Sequence, residues 1–275
     1  MSWLRKSLGL AALCGAAGAL STACEDNESM LFVHGVVALD DTTDCFPEAS
    51  EQTTRLASGR YDLTLSNGAG YKAALLVGSQ LTPRASRDQL RTETARFILE
   101  GAEVTVTDAS DNVIPLAGKP NPYSTRGTGS LAPATGQTAS IGILWADIIP
   151  GGVDLPNDLV LARVRAYGRT LGGTEIESGE FVFPIQVCRG CLISYPASAA
   201  DETATPAGGA QGRFICRTVG EGTEDSGACF PGQDVPTPCT ECASINAACE
   251  DPCQNCAVRK NNPQCDGTPA PACPP

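Results

Sequence analysis

The sequence predicts an all-β chain: an antiparallel, immunoglobulin-like β-sandwich followed by a small disulfide-rich irregular module. Three observations carry this. Apolar residues recur with period two in short runs between Met30 and Val187, the pattern of half-buried strands. Gly, Pro, Asn and Asp punctuate those runs, and no segment carries the apolar stripe of an amphipathic helix. Cysteine is spread unevenly: Cys45 alone stands between Cys24 and Cys188, whereas eleven cysteines lie from Cys188 to the end. A region poor in core-forming residues and rich in cysteine depends on covalent staples.

Met30 to Leu39 is the first β-rich run and holds His34, the single histidine; a lone strand histidine reads as structural. Tyr61, Leu63 and Leu65 alternate with Asp62, Thr64 and Ser66, which predicts a second strand. Asn67-Gly68 supplies turn chemistry, and Tyr71 to Val77 returns as the next strand. Phe97 and Leu99 continue toward Val104 and Val106, Asp111-Asn112 turns, and Val113 to Leu116 follows. Thr138 to Trp145 is a further strand.

Leu159 to Tyr167 is the clearest: Val160, Ala162, Val164 and Ala166 make a small apolar face, with Leu161, Arg163, Arg165 and Tyr167 opposite. After Gly172-Gly173, Phe181, Phe183, Ile185 and Val187 alternate, and Pro184 among them predicts an edge or a bulge. Eight or nine short strands with uneven connections indicate a sandwich rather than a barrel.

Two connections are long. Gly78 to Arg91 carries Arg84, Arg87, Asp88 and Arg91; Ala117 to Gly136 is dense in Gly, Pro, Ser and Thr. The second is the expected ligand-binding loop if the domain binds a small molecule, through Lys119, Asn121, Tyr123 and Arg126.

The domain division follows from composition. Residues 1–23 read as a signal peptide, 24–29 as an acidic tether and 30–195 as the sandwich. Residues 196–212, rich in Ala and Gly with Thr and Pro, read as a linker, and 213–275 as the cysteine-rich module. The signal reading rests on Arg5-Lys6 ahead of an uncharged run from Ser7 to Leu20, too short to span a bilayer.

Leu20-Ser21-Thr22-Ala23-Cys24 then resembles the lipobox of bacterial lipoproteins, with Leu20 one step farther from the cysteine than is usual there. The resemblance implies cleavage before Cys24 and a thioether-linked diacylglyceryl group on it. Acyl chains anchor stably without a transmembrane helix, and no later segment is apolar enough to span.

Cysteine parity agrees. Of 14 cysteines, Cys14 lies in the leader; with Cys24 acylated, twelve remain, an even number. They are Cys45, Cys188, Cys191, Cys216, Cys229, Cys239, Cys242, Cys249, Cys253, Cys256, Cys265 and Cys273. All twelve are expected in disulfides. Eleven lie from Cys188 onward, so Cys45 must reach one of these. Cys188 or Cys191 is the expected partner, because the last strand lies in the same domain.

The CxxC pairs Cys188/Cys191, Cys239/Cys242 and Cys253/Cys256 read as disulfides rather than zinc ligands, given the export signal. A redox role for Cys188/Cys191 requires a helix after the motif to lower the thiol pKa, and Leu-Ile-Ser-Tyr-Pro does not read as one. Acidic clusters at Asp40-Asp41 with Asp44 and at Glu224-Asp225 lack calcium-loop spacing and read as solvated turns. No metal and no cofactor is expected.

The mature chain holds no GxSxG elbow, HExxH, P-loop or dinucleotide fingerprint, and one histidine leaves little for acid–base chemistry. The sequence reads as non-enzymatic. The formal net charge of −12 becomes −14 once Arg5 and Lys6 are removed, and no basic cluster remains to bind nucleic acid. A glycan platform requires exposed aromatics, and aromatic residues are 5% of the chain.

The stretch from Gly168-Arg169-Thr170-Leu171-Gly172-Gly173 through Phe181-Val182-Phe183-Pro184-Ile185-Gln186-Val187 to Cys188-Arg189-Gly190-Cys191 resembles cysteine-rich envelope lipoproteins of the myxobacterial type. The likeness covers Tyr61 to Cys191 and implies an envelope location, with no activity attached. The expectation is a lipid-anchored outer-membrane envelope protein with a structural or adhesive role, contacting an envelope protein or a glycan. The alternatives are an extracytoplasmic ligand-binding module using residues 117–136, or a CxxC thiol–disulfide redox protein.

Overall fold

The computed structural model describes residues 30–39, 45–83, 93–135, 138–156, 158–194 and 229–238. Among these residues twelve strands run in chain order: β1 (Leu31–Val37), β2 (Arg55–Leu56), β3 (Gly59–Asp62), β4 (Tyr71–Ser79), β5 (Phe97–Asp108), β6 (Tyr123–Leu131), β7 (Ser140–Ile149), β8 (Leu159–Thr170), β9 (Glu175–Glu177), β10 (Phe181–Cys188), β11 (Ile193–Ser194) and β12 (Thr237–Pro238). Among the described residues there is no helix.

One sheet has the order β2-β1-β4-β7, a second β3-β10-β8-β5-β6 with β9 also on β8, and β11 pairs with β12 alone. Taking β1, β4 and β7 as A, B and E, and β10, β8, β5 and β6 as G, F, C and C′, the two main sheets have the immunoglobulin arrangement. The all-β sandwich read from the sequence therefore holds; the leader and tether at 1–29, the linker at 196–212 and, apart from 229–238, the module at 213–275 lie outside the described residues. Two pairings are parallel, β3 with β10 and β11 with β12.

The core lies between the inner faces. Tyr71, Ala73, Leu75 and Val77 of β4 meet Val104 and Val106 of β5, Val160, Ala162, Val164 and Ala166 of β8, and Phe183, Ile185 and Val187 of β10. The alternation on β8 is as read: Val160, Ala162, Val164 and Ala166 are fully buried. Pro184 pairs with Leu161 on one side, and β3 joins only from Ile185 onward. Its missing N–H thus falls where β10 still has an open side.

Several expectations are corrected. The strand read from Tyr61 through Leu65 stops at Asp62, because the Asp62 carboxylate bonds the amides of Thr64 and Leu65 and turns the chain there. Asn67-Gly68 is a turn, with φ of 48° and 82°, but it joins β3 and β4 in different sheets rather than in a hairpin. Val113 makes one bridge to Thr107, and Val113 to Leu116 forms no strand.

The 117–136 connection is not an open loop: Tyr123–Leu131 is strand β6, paired along β5. Its glycines explain the misreading and the structure alike. A Cβ on Gly127 would lie 2.5 Å from the Trp145 carbonyl oxygen, and one on Gly129 2.9 Å from that of Ile143. Their absence lets β6 approach β7 and bring the edges of the two main sheets together.

β4 is buried on both sides. Its outer face holds Ala74 and Leu76, which cluster with Val37 under Leu39, Ile141, Ile143 and Trp145.

Candidate functional site

Asp62 ends β3 with its side chain wholly buried. Its Oδ1 accepts from the amides of Thr64 at 2.9 Å, Leu65 at 3.3 Å and Gly190 at 2.8 Å, and its Oδ2 from that of Leu192 at 2.9 Å. Four N–H donors satisfy a carboxylate that would otherwise be costly to bury. They also tie the turn after β3 to the loop that closes the Cys188–Cys191 disulfide.

The Asp62 amide in turn donates to the carbonyl of Gly232, the first of several contacts to Cys229–Pro238. Gln233 lies beside β4: its Oε1 accepts from the Lys72 amide at 3.3 Å. Asp234, at φ 59°, accepts from the Arg60 amide at 2.8 Å and from the Tyr71 hydroxyl at 2.7 Å. Phe230 meets the edge of Trp145 at 5.9 Å between centroids, with the Lys72 ammonium 5.5 Å from its ring centre. Thr237 and Pro238 form β12 against β11.

Burial pushes the Asp234 carboxyl above the ordinary carboxylate range, partly offset by the Tyr71 hydrogen bond. Burial, and then the charge of Asp234, push the Tyr71 phenol far up.

A disulfide completes this clasp: Cys45 is bonded to Cys229, 184 residues away in sequence. The expectation that Cys45 reaches the C-terminal set holds, but the partner expected, Cys188 or Cys191, is corrected. Those two lie at the ends of one tight turn and pair with each other. Cys216, Cys239, Cys242, Cys249, Cys253, Cys256, Cys265 and Cys273 lie outside the described residues, as does Cys24.

The four residues read as ligand-binding divide. Lys119 donates to the Gly151 carbonyl at 2.6 Å. Asn121 acts as a bracket: its Oδ1 accepts from the Val106 amide and its Nδ2 donates to the carbonyls of Val106 and Ile114. Tyr123 donates to the Asp147 carbonyl at 3.0 Å, and burial, then the Asp147 charge, raise its phenol. Three of the four are therefore used in holding the sandwich. Arg126 is exposed on the outer face of β6, and Lys119 is exposed as well.

His34 is structural in setting as well. Its ring packs edge-on against Phe32 at 4.7 Å, its Nε2 is buried without a partner, and burial, then the charge of Arg55, lower its pKa.

Asp62, Cys188 and Cys191 bring three potential ligand atoms within 4.8 Å of one another. As folded, the carboxylate oxygens are occupied by amides and the sulfurs by each other. Cys191 is exposed, but β11 rather than a helix follows the motif, so no helix N-terminus is present to stabilise a thiolate. This is the geometry of a staple.

No protein-family model and no curated protein matches the sequence. Among solved structures, the chain is similar to the crystal structure of the putative ApaA protein from Bordetella pertussis. The identity is 16%, over 46% of this chain and 87% of that one, at a TM-score of 0.20. A likeness at that score adds nothing to the fold described above.

The outer face of β5, β6 and β8 is the other feature of note. Arg163 bridges Asp111 and Glu180, and Arg169 meets Glu100 at 2.7 Å. Beside them Tyr167 lies across Gly101, where a Cβ would come within 2.7 Å of its hydroxyl. Sequence reading placed Tyr167 on the outward face of its strand; the seat beneath it depends on a bulge at Glu100 that no periodicity reveals.

Proposed function

We propose that this is an exported, lipid-anchored protein of the bacterial envelope, attached through Cys24, with a structural or adhesive rather than catalytic role. The observation that carries the reading is the Cys45–Cys229 bridge. A disulfide that joins an early loop to a C-terminal clasp belongs to an oxidising compartment. That agrees with the leader-like residues 1–23, the lipobox-like Leu20-Ser21-Thr22-Ala23-Cys24, and the resemblance to cysteine-rich envelope lipoproteins. An outer-membrane location and a protein or glycan partner belong to the same proposal.

Among the described residues, the polar groups that would serve chemistry are committed to the fold: Asp62 to four amides, Asp234 to Tyr71 and Arg60, Asn121 to β5. The ligand-binding and redox alternatives draw correspondingly less support, from Lys119, Asn121 and Tyr123 being engaged internally and from the Cys188–Cys191 staple.

The test is metabolic labelling with an alkynyl fatty acid, followed by membrane fractionation of wild type and C24S. Wild type is expected to carry label and to sediment with membranes, and C24S to lose both. Unlabelled wild type, or label retained in C24S, contradicts the anchor.

A further inference from the structure

We propose that the outward face of β5, β6 and β8 is a carbohydrate-binding platform centred on Tyr167, taking neutral hexose glycans. The inference rests on the adhesive reading above and gives it a ligand class.

The register places four residues in one row across the sheet. Arg126 of β6 is opposite Gly101 of β5, Gly101 is opposite Tyr167 of β8, and Tyr167 is opposite Glu177 of β9. Directly opposed residues share a face, and this face points outward, since Ala166 and Ile176 beside Tyr167 and Glu177 are buried. The next outward row is Ser124, Glu103 and Arg165. Apart from Gly101 and the half-buried Tyr167, all of these are exposed.

Tyr167 differs from an ordinary surface tyrosine in being held down. The bulge at Glu100 and the missing side chain of Gly101 leave a space that the tip of the phenol ring fills, with Cζ 3.0 Å from where a Cβ would stand. The tip of the ring thus rests over Gly101 of β5. Among the described residues no other ring lies against it. An aromatic ring held at its tip against a sheet presents an apolar surface that loses little entropy on binding.

Its surroundings decide the ligand. Arg126 and Arg165 supply donors and Glu103 and Glu177 acceptors; Arg165 also lies 3.9 Å from Glu180 and Arg169 2.7 Å from Glu100, so charges of both signs alternate across the face. A half-buried aromatic ring within a rim of mixed donors and acceptors suits a pyranose, which has an apolar C–H face and a girdle of hydroxyls. A charged ligand would meet a like charge on either side.

The experiment is calorimetric titration of the full chain, purified in a detergent without a sugar headgroup, with cellohexaose, laminarihexaose, maltohexaose and, as the charged comparison, hexagalacturonate. At least one neutral hexamer is expected to bind. Y167F should retain that affinity within about threefold, whereas Y167L should weaken it by about tenfold. Leucine keeps bulk over Gly101, so Y167L remains informative if Y167A fails to fold. R126A and E177A should each weaken binding without lowering the melting temperature.

Binding of none of the neutral hexamers overturns the proposal. So does affinity that Y167L leaves unchanged, or binding of hexagalacturonate alone. Failure here with Cys24 acylated sinks the platform and leaves the anchor standing; the reverse result sinks the anchor alone.

Discussion

The phenol of Tyr71 on β4 donates to the carboxylate of Asp234, 2.7 Å away and 163 residues later in the chain. A strand at the heart of the sandwich is thereby closed by a residue from the C-terminal clasp. Around it, Gln233 bonds the backbone of Lys72, Phe230 meets Trp145, and Cys229 is bonded to Cys45.

That pair makes the clasp sensitive to pH. Burial raises the Asp234 carboxyl above its ordinary 3.8, so the folded state binds this proton more tightly than the unfolded state does. Its contribution is largest at low pH and falls as pH rises from 3.8 through the raised value. D234N keeps an acceptor for the Arg60 amide and removes the charge. Urea unfolding from pH 4 to 7 should show D234N gaining stability relative to wild type as pH rises. A difference that shrinks or reverses with rising pH contradicts the burial account.

Asp62 is the interior knot. D62A leaves four amides without their acceptor, and unsatisfied buried donors cost about 1–3 kcal/mol each before relaxation. The expected loss is about 3 kcal/mol or more in denaturant unfolding. D62N, which keeps one oxygen but points an N–H at a backbone donor, should lose less than D62A and still measurably. A loss below about 1 kcal/mol in D62A would mean that the knot is solvated.

The two disulfides should differ in weight. Closing a 184-residue separation limits the unfolded chain far more than closing one of 3; in chain-entropy terms the contributions are about 5 and about 2 kcal/mol. The paired variant C45S/C229S should therefore be much less stable than C188S/C191S, whose loop Asp62 still holds. Hydrogen exchange should also show Lys72 and β12 losing protection in C45S/C229S. Equal losses would contradict the assignment of the clasp to the long bridge.

Glycines at the sheet edge offer a contrast. G127A puts a methyl 2.5 Å from both the Trp145 carbonyl oxygen and Leu144 Cδ1, whereas a Cβ on Gly179 meets nothing within 4 Å. Overpacking costs about 1–3 kcal/mol, so G127A should lower the melting temperature, while G179A should leave it unchanged or raise it slightly. Equal tolerance would mean that β6 and β7 do not close.

How much of this was legible in the sequence depends on what signal each part carries. β8 was readable because one face is Val160, Ala162, Val164 and Ala166, a pattern that burial imposes directly. Turns at Asn67-Gly68 and Asp111-Asn112 were readable because they take up left-handed backbone. β6 was not, since Tyr123 to Leu131 holds polar residues and glycines, and what makes it a strand is its pairing along β5.

Asp62 read as an outward strand residue because two of its four partners, Gly190 and Leu192, lie 128 and 130 residues farther along the chain. The clasp was hidden for the same reason. Residues 229–238 have no periodicity, and their order comes from side chains of Gln233 and Asp234 that substitute for a strand neighbour. Parity required Cys45 to reach the C-terminal cysteines; which one depended on the tight turn that consumes Cys188 and Cys191.

The measurement that tests the account most directly is intact mass of the native protein before and after reduction and alkylation, followed by non-reducing peptide mapping. The account predicts a mass beginning at an acylated Cys24 and twelve alkylated thiols only after reduction. It further predicts cross-linked peptides joining Cys45 to Cys229 and Cys188 to Cys191. An unacylated chain with free thiols, or Cys45 cross-linked to Cys188 or Cys191, would contradict it.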